Sequence, residues 1–166
     1  MVTGLDPLAF RNAMARFASG VTVVTTWDQD GTIAGFTASA FSSLSLDPPL
    51  LLVCLQKDAD CYAAFMQTEV FAVSILSRGQ EEIAIRFATK SVDKMDGVPS
   101  ISGPATGLPV IAGASAGIEC SMRERVDGGD HTILVSEVIS AESNASEPLL
   151  HFNRQFGRFV AEGPTE

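Results

Sequence analysis

The chain opens with apolar residues at helical spacing. Phe10, Met14 and Phe17 recur at i, i+4 and i+7, which is the spacing of one buried face of a helix. The Asp-Pro pair at positions 6 and 7 offers an N-cap and a favourable first helical residue, and the Ser-Gly pair at positions 19 and 20 is a typical stop. The pattern therefore predicts a helix with its apolar face buried.

After this helix, short apolar runs alternate with turn residues, which is typical of β-strands. We predict strands at residues 21–27, 32–36, 50–55, 70–76, 114–126, 132–141, 149–152 and 156–160. The run 50–55 is continuously apolar, which predicts a strand buried on both faces with Cys54 as a small core residue.

Two further predicted helices are short. Asp58 is a candidate cap for a short helix that follows it, and Ser77 with Gln80 forms a capping box before a helix over about residues 80–88. Residues 91–109 are rich in proline and glycine and predict a long surface connection. Connections of this kind often serve as lids or partner surfaces.

Many strands with few, short helices predict a mainly β fold, an antiparallel barrel. A parallel sheet would need helices of roughly 10–15 residues between its strands. No G-x-G-x-x-G follows the first strand, which argues against a Rossmann dinucleotide fold. We find no internal repeat and no linker, so residues 1–166 are predicted to form one domain.

Composition and charge then narrow the classes of function. Apolar residues make up 46% and charged residues 19%, a globular balance, and the net charge of -9 argues against a nucleic-acid partner. No apolar run is long enough for a membrane helix, and the first residues lack the pattern of a signal peptide. Three cysteines without C-x-x-C spacing predict a reduced, cytoplasmic protein without a metal site.

The hydroxyl-rich segment 37–45 is the first candidate site. Its small side chains would let backbone groups reach the polar edge of a planar ligand, and serine hydroxyls with backbone amides can hold a phosphate. The alternative is a tight barrel corner filled with small residues. Lys57 and Arg86 are the cations nearest the candidate elements, either as phosphate ligands or as solvated surface charges.

His131 is the second candidate. It follows Gly128, Gly129 and Asp130 at a strand entry, where glycines permit the close approach of a ligand. Its imidazole could bind a ligand or stabilise charge near neutral pH, and the alternative is a turn histidine satisfied by Asp130. His151 has no comparable setting and is predicted to be structural.

Other catalytic patterns are missing from the sequence. It contains no G-x-S-x-G elbow, no H-E-x-x-H and no Walker loop. This absence suits hydride transfer, in which a cofactor carries the chemistry and the protein positions two rings.

Several segments in the same order resemble the short flavin reductases, which are reductase components of two-component flavin monooxygenases. The resemblance runs from about Leu5 to Phe159. The segments that carry it are Phe10-Arg11-Asn12-Ala13-Met14, Phe17-Ala18-Ser19-Gly20-Val21-Thr22-Val23-Val24-Thr25-Thr26, Gly35-Phe36-Thr37-Ala38-Ser39-Ala40-Phe41, Ser45-Leu46-Asp47-Pro48-Pro49 and Gly129-Asp130-His131-Thr132. This resemblance implies the antiparallel FMN-binding split β-barrel of that family.

The resemblance also implies which residues form the site. The histidine matching His131 would orient the nicotinamide, and the C-terminal segment would lie beside it. The implied flavin contacts and the implied C-terminal residues are Thr37, Ala38, Ser39, Ala40, Phe41, Ser43, Leu44, Lys57, Asp58, Ala59, Asp60, Phe87, Ala88, Gln155, Phe156, Gly157 and Arg158.

The implied activity is reduction of FMN or FAD by hydride transfer from NADH or NADPH, with reduced flavin passed to a partner monooxygenase. The family also implies a homodimer. The alternatives are a split-barrel flavoprotein with tightly bound FMN as prosthetic group and a non-catalytic flavin carrier.

One segment departs from the family pattern. The loop on the phosphate side often carries lysine or serine in relatives, and here Asp58 and Asp60 flank Ala59. Two carboxylates beside a phosphate would repel it. Either the carboxylates face away, with Asp58 capping a helix, or flavin binding is weakened.

Overall fold

The computed structural model of the protein describes residues 4–163. Its helices are α1 (Pro7–Met14), α2 (Tyr62–Gln67) and α3 (Glu81–Ala88). Its strands are β1 (Ser19–Gly20), β2 (Thr22–Trp27), β3 (Ile33–Ala38), β4 (Phe41–Leu46), β5 (Pro49–Gln56), β6 (Val70–Ile75), β7 (Ser100–Ser102), β8 (Pro109–Ile111), β9 (Ala116–Gly128), β10 (His131–Ser143), β11 (Leu150–Phe152) and β12 (Gln155–Gly157). The ends of the predicted domain, residues 1–3 and 164–166, lie outside the described range.

The main sheet has seven antiparallel strands in the order β3-β2-β6-β9-β10-β5-β4. Its two edge strands, β3 and β4, are consecutive in the chain, and only Ser39 and Ala40 join them. The Cys54 amide on β5 donates to the Ala40 carbonyl at 2.9 Å, which ties this link to the far side of the sheet. The predicted mainly β, antiparallel barrel with a few short helices is confirmed.

The interior of the barrel is filled by side chains from both halves of the sheet and from α2. Phe65 on α2 is fully buried, with its ring 5.1 Å from that of Phe36 and 6.3 Å from that of Phe71. Edge-to-face contacts of this kind add to the burial of each ring. Helix α2 thus closes the interior of the barrel with an aromatic cluster.

A second apolar layer lies outside the barrel, beneath α3. Val23 on β2 and Phe87 on α3 are buried in it, whereas the neighbouring Val24 is buried in the barrel interior. The close approach of α3 requires Gly35, because a Cβ there would lie 2.7 Å from the Phe87 ring. Strand β2 is therefore buried on both faces.

The prediction that the run 50–55 is buried on both faces is wrong. Leu51, Val53 and Leu55 are buried, but the residues between them are only partly covered. Strand β5 lies between β10 and the edge strand β4, with one face in the barrel and the other only partly covered by residues 4–163. Its apolar run therefore shows the alternation of a half-buried strand.

The predicted burial of the first helix is also wrong. Its cap is as predicted, since the Asp6 carboxylate accepts from the Leu8 amide at 3.0 Å. The helix ends earlier, at Met14, none of its residues is buried, and Phe17 beyond it is 78% exposed. The β11–β12 turn contacts α1 and the residue after it: the Asn153 amide donates to the Ala15 carbonyl at 2.9 Å, and Arg154 donates to the Asn12 side-chain oxygen at 2.9 Å.

Residues 91–109 are more ordered than a surface connection. They contain β7, which pairs with β8, and Leu108, which is fully buried. The Glu119 carboxylate on β9 accepts from the Thr106 amide at 2.7 Å and from the Thr106 hydroxyl at 2.6 Å. Among residues 4–163, no helix has the length and apolar character needed to cross a bilayer.

Candidate functional site

A cavity of about 280 Å³ lies between the β3–β4 link, the end of β5, the end of α3 and the start of β10. It collects residues that are distant in the sequence. Its walls are Phe36, Thr37, Ala38, Ser39, Ala40, Cys54, Leu55, Gln56, Ala59, Asp60, Phe87, Ala88, Lys90, Lys94 and His131. We call it the main cavity.

A second cavity of about 320 Å³ adjoins it, and we call it the side cavity. The two cavities share Thr37, Ser39 and Ala88 as walls. Phe156 and His151 form the far wall of the side cavity, with ring centroids 6.0 Å apart. The structure therefore places His131 and Phe156 on opposite sides of the small-residue segment.

The hydroxyl-rich segment is a barrel corner and a cavity wall at once. It runs from β3 through the link into β4, a strand that the sequence pattern did not indicate. The Thr37 hydroxyl donates to the Ala84 carbonyl at 2.6 Å, which ties the segment to α3. Phe41 packs against the barrel interior, whereas Ser43 and Leu44 lie farther along β4, outside both cavities.

The prediction that Asp58 caps the next helix is wrong. Helix α2 begins after Cys61 without a side-chain cap, and the Asp58 carboxylate lies 3.2 Å from the Lys90 ammonium. Asp60 lines the main cavity, where its carboxylate accepts from the Ser91 amide at 2.9 Å. Each aspartate is thus engaged by the segment that follows α3.

Lys90 and Lys94 are the lysines in the wall of the main cavity, and the sequence pattern did not identify either. Lys94 lies 3.6 Å from the Asp60 carboxylate. No local signal could have found these pairs, because their members lie more than thirty residues apart in the chain. The repulsion expected from the two aspartates is offset by these cations.

Lys57 and Arg86 line neither cavity. The Lys57 ammonium donates to the Asp127 carboxylate, which raises the pKa of Lys57 and lowers that of Asp127. Arg86 donates to the Asp93 carbonyl at 3.0 Å. Both are engaged on the outer surface.

His131 lines the main cavity at the first position of β10, where it pairs with Gln56 on β5. Its Nδ1 lies 2.7 Å from the Asp130 carboxylate, and this contact lowers the pKa of Asp130. The two-residue turn before it depends on Gly129, whose φ of 80° favours glycine. Asp130 therefore gives the His131 imidazole a hydrogen-bond partner and also holds the ring at the wall of the main cavity.

Cys54 lies in the wall of the main cavity and His151 in the wall of the side cavity. The prediction that Cys54 is a core residue is wrong, because its side chain is only partly covered. A structural role for His151 stays a prediction. Cys54 is partly covered on the outward face of β5, and burial raises the pKa of its thiol. Gln155, Gly157 and Arg158 flank Phe156 without lining either cavity.

The two cavities suit a planar ligand that carries a phosphate. The alanine and serine residues of the link leave backbone polar groups accessible, while Lys90 supplies positive charge at one edge. His131 and Phe156 provide an imidazole and an aromatic ring on either side. Within residues 4–163, no group of three His, Cys, Asp or Glu side chains could hold a metal ion.

Comparison with known proteins gives consistent matches. The sequence model of the family described as flavin reductase like domain matches residues 14–159. The chain is 42% identical to the stachydrine N-demethylase reductase subunit Stc3 of Rhizobium meliloti, covering 84% of this chain and 60% of that protein's length. It is 37% identical to the flavin-dependent monooxygenase reductase subunit HsaB of Rhodococcus jostii, covering 92% of this chain and 77% of that one.

A solved structure also matches over almost the whole chain. It is the NADH:FAD oxidoreductase SgcE6 of Streptomyces globisporus C-1027, in complex with NAD and FAD fragments. The TM-score is 0.88 at 41% identity, covering 96% of this chain and 98% of that one.

Proposed function

The chain belongs to the flavin reductase like domain family, and we propose from this that it is an NAD(P)H-dependent flavin reductase. It reduces FMN or FAD by hydride transfer and supplies the reduced flavin to a partner monooxygenase. Two relatives support this proposal. One is named an NADH:FAD oxidoreductase, and the other is named the reductase subunit of a flavin-dependent monooxygenase. The proposal rests on one observation, that the main cavity adjoins the side cavity. Hydride transfer needs the flavin and the nicotinamide in contact, and two adjoining cavities allow this.

The residues of the main cavity would hold the flavin. Ala38, Ser39 and Ala40 line one wall of this cavity, where their backbone groups would meet the polar edge of the flavin, and Phe87 and Ala88 at the end of α3 form another wall. A bound flavin would accept the hydride from NAD(P)H. The chain itself contributes a rigid link between two strands, which holds the reacting ring in place.

His131 and Phe156 are proposed as the nicotinamide side of the site. The contact with Asp130 holds the imidazole at the cavity wall, where it can donate a hydrogen bond to a ligand amide or phosphate. Phe156, on the short strand β12, would cover the cofactor ring from the opposite side. These residues exclude water from one face of the ligand pair.

The experiment that tests the function is steady-state oxidation of NADH and NADPH with FMN, FAD and riboflavin in excess. We expect sustained turnover with at least one pair of substrates. Nicotinamide oxidation that stops after one equivalent of bound flavin would contradict a diffusible flavin substrate. No oxidation with any pair would contradict the enzyme assignment and favour a carrier.

A homodimer is proposed from the apolar side chains that the single chain leaves uncovered. Leu8, Phe10 and Met14 on α1 are each more than half exposed, as is Phe17 just beyond it. An apolar patch of this kind usually marks an interface. Three free cysteines support a reducing, cytoplasmic location, and residues 1–166 are proposed to form a single domain.

A further inference from the structure

We propose that Lys90 is the residue that binds the flavin phosphate and that Asp58 competes with the phosphate for it. This inference rests on the proposed function and concerns how tightly the flavin is held. It follows from how the two lysines of the main cavity differ in their partners, their burial and their freedom to move.

Lys94 is fixed by the protein. Its side chain is 6% exposed, and its ammonium contacts three oxygen partners within the fold. It donates to the Thr89 carbonyl, lies 3.5 Å from the Phe87 carbonyl and pairs with the Asp60 carboxylate. Its burial, its hydrogen bond to Thr89 and the Asp60 carboxylate beside it hold the Lys94 ammonium in place and leave it little room to turn towards a ligand. Lys94 is a positioning residue that holds the end of α3 and Asp60.

Lys90 has a different environment. Its side chain is 58% exposed, and both of its contacts are to one residue, the Asp58 carbonyl at 2.8 Å and the Asp58 carboxylate at 3.2 Å. One N–H donor is therefore open at the rim of the main cavity. The flexible four-carbon stem of a lysine lets the ammonium turn towards a phosphate.

Asp58 is the counter-ion that a phosphate must replace. Its side chain is 66% exposed and is held by no other residue than Lys90 among residues 4–163. A phosphate that binds Lys90 therefore weakens the existing ion pair and meets the Asp58 carboxylate beside it. The pair lowers the affinity for phosphorylated flavins and leaves the contacts to the flavin ring unchanged.

This arrangement suits an enzyme that must release its flavin. The ring contacts give specificity for flavin, while the pair keeps the phosphate from adding much affinity. Asp60 has the opposite role, because its carboxylate holds the Ser91 amide and Lys94 in place. Of the two aspartates, we expect only Asp58 to weaken the binding of phosphorylated flavins. Removal of its charge should therefore tighten that binding.

The test measures dissociation constants of FMN and riboflavin without nicotinamide, by quenching of flavin fluorescence. Asp58→Asn should tighten FMN binding roughly twofold to fivefold, the range expected for an exposed ion pair, and leave riboflavin unchanged. Lys90→Gln should weaken FMN binding by a similar factor and leave riboflavin unchanged. In the double variant the effect of Asp58→Asn should be smaller than in the single variant, because only the direct repulsion between the Asp58 carboxylate and the phosphate is then removed.

Glu147→Gln is the matched control. Glu147 pairs with Arg78 at 3.2 Å, is 59% exposed and lines neither cavity, so the variant removes one negative charge from a similar pair elsewhere. It should change the ratio of the FMN and riboflavin constants little. If Asp58→Asn or Lys90→Gln leaves that ratio unchanged while riboflavin still binds, this inference is overturned and the proposed function stands. Failure of the wild-type protein to bind either flavin would overturn both.

Discussion

At the scale of single residues, the contact with Asp130 gives the His131 imidazole a hydrogen-bond partner and holds its ring at the wall of the main cavity. We predict that His131→Ala raises the Michaelis constant for the nicotinamide by roughly twofold to tenfold, the value of one hydrogen bond, and changes the constant for flavin less. Steady-state kinetics with each substrate varied in turn provide the measurement.

Asp130→Asn is the companion variant to His131→Ala. The amide oxygen retains an acceptor for Nδ1, so the ring should keep its orientation and the nicotinamide constant should rise less than in His131→Ala. An unchanged nicotinamide constant in a folded His131→Ala protein would remove His131 from the nicotinamide site.

The three cysteines differ in their accessibility to reagents, and this difference can report on the main cavity. Burial raises the pKa of Cys61 and of Cys120 to about 12, so both thiols stay protonated at ordinary pH. Burial also raises the pKa of Cys54, but this thiol lines the main cavity. We predict that iodoacetamide labels Cys54 first, faster as the pH rises, and that FMN slows the labelling.

Peptide mass spectrometry after timed labelling measures this order directly. Riboflavin should protect Cys54 as FMN does, because we expect the ring and not the phosphate to cover this wall. Labelling of Cys54 at the same rate with and without saturating flavin would place the flavin ring elsewhere.

At the scale of elements, a buried carboxylate on β9 anchors the segment before β8. Glu119 accepts from the Thr106 amide and hydroxyl and from the Ala105 amide at 3.1 Å. We predict that Glu119→Gln lowers the free energy of unfolding by about 1–3 kcal/mol, because the new amide group would face backbone N–H donors. Urea unfolding at pH 7 measures the loss, and Glu142→Gln, an exposed change on β10, is the control.

The same carboxylate gives this stabilisation a pH dependence. Burial raises the pKa of Glu119, but the hydrogen bonds from Thr106 and Ala105 outweigh it and leave the pKa below its ordinary value of 4.5. A lowered folded pKa means that the stabilisation is complete above pH 4.5 and is lost as the pH falls through the folded value. The difference between wild type and Glu119→Gln should shrink as the pH is lowered below 4.5. A constant difference would contradict this role.

Elements with strong local patterns were predictable from the sequence. The β9–β10 hairpin was placed within two residues at each end, since its turn glycines and alternating residues are local signals. The burial of α1 and of β5 was not, because it depends on which layer covers a face after the chain has folded. The order within residues 91–109 likewise depends on Glu119, which lies beyond the segment.

The residues of the candidate site likewise fall into two groups, those with a local signal in the sequence and those without one. The small-residue segment and His131 carry their signal in neighbouring residues, so the sequence could identify both. Lys90 and Lys94 line the main cavity, and each pairs with an aspartate on the loop before α2. No spacing rule connects residues so far apart, and those cations could be recognised only in the folded structure.

At the scale of the whole molecule, the exposed apolar side chains of α1 predict that two copies of the chain pair through this helix. Phe17→Asp should shift the proposed homodimer towards monomer, because a buried charge without a partner is unfavourable in an apolar interface. Light scattering after size exclusion over a range of concentrations gives the mass. Ile101→Asp, at an exposed apolar position on β7, is the control and should not change the mass. A monomeric wild-type protein, or a dimer unaffected by Phe17→Asp, would contradict an interface at α1.

The link between β3 and β4 has a consequence for how the protein folds. It joins the two edges of a seven-stranded sheet, so the main cavity exists only after all the strands between those edges have paired. Pairings between distant parts of a chain form slowly. Flavin binding should therefore appear with the slowest step of refolding, after the recovery of secondary structure. A cell that makes this protein gains flavin-binding capacity only from chains that have completed the sheet.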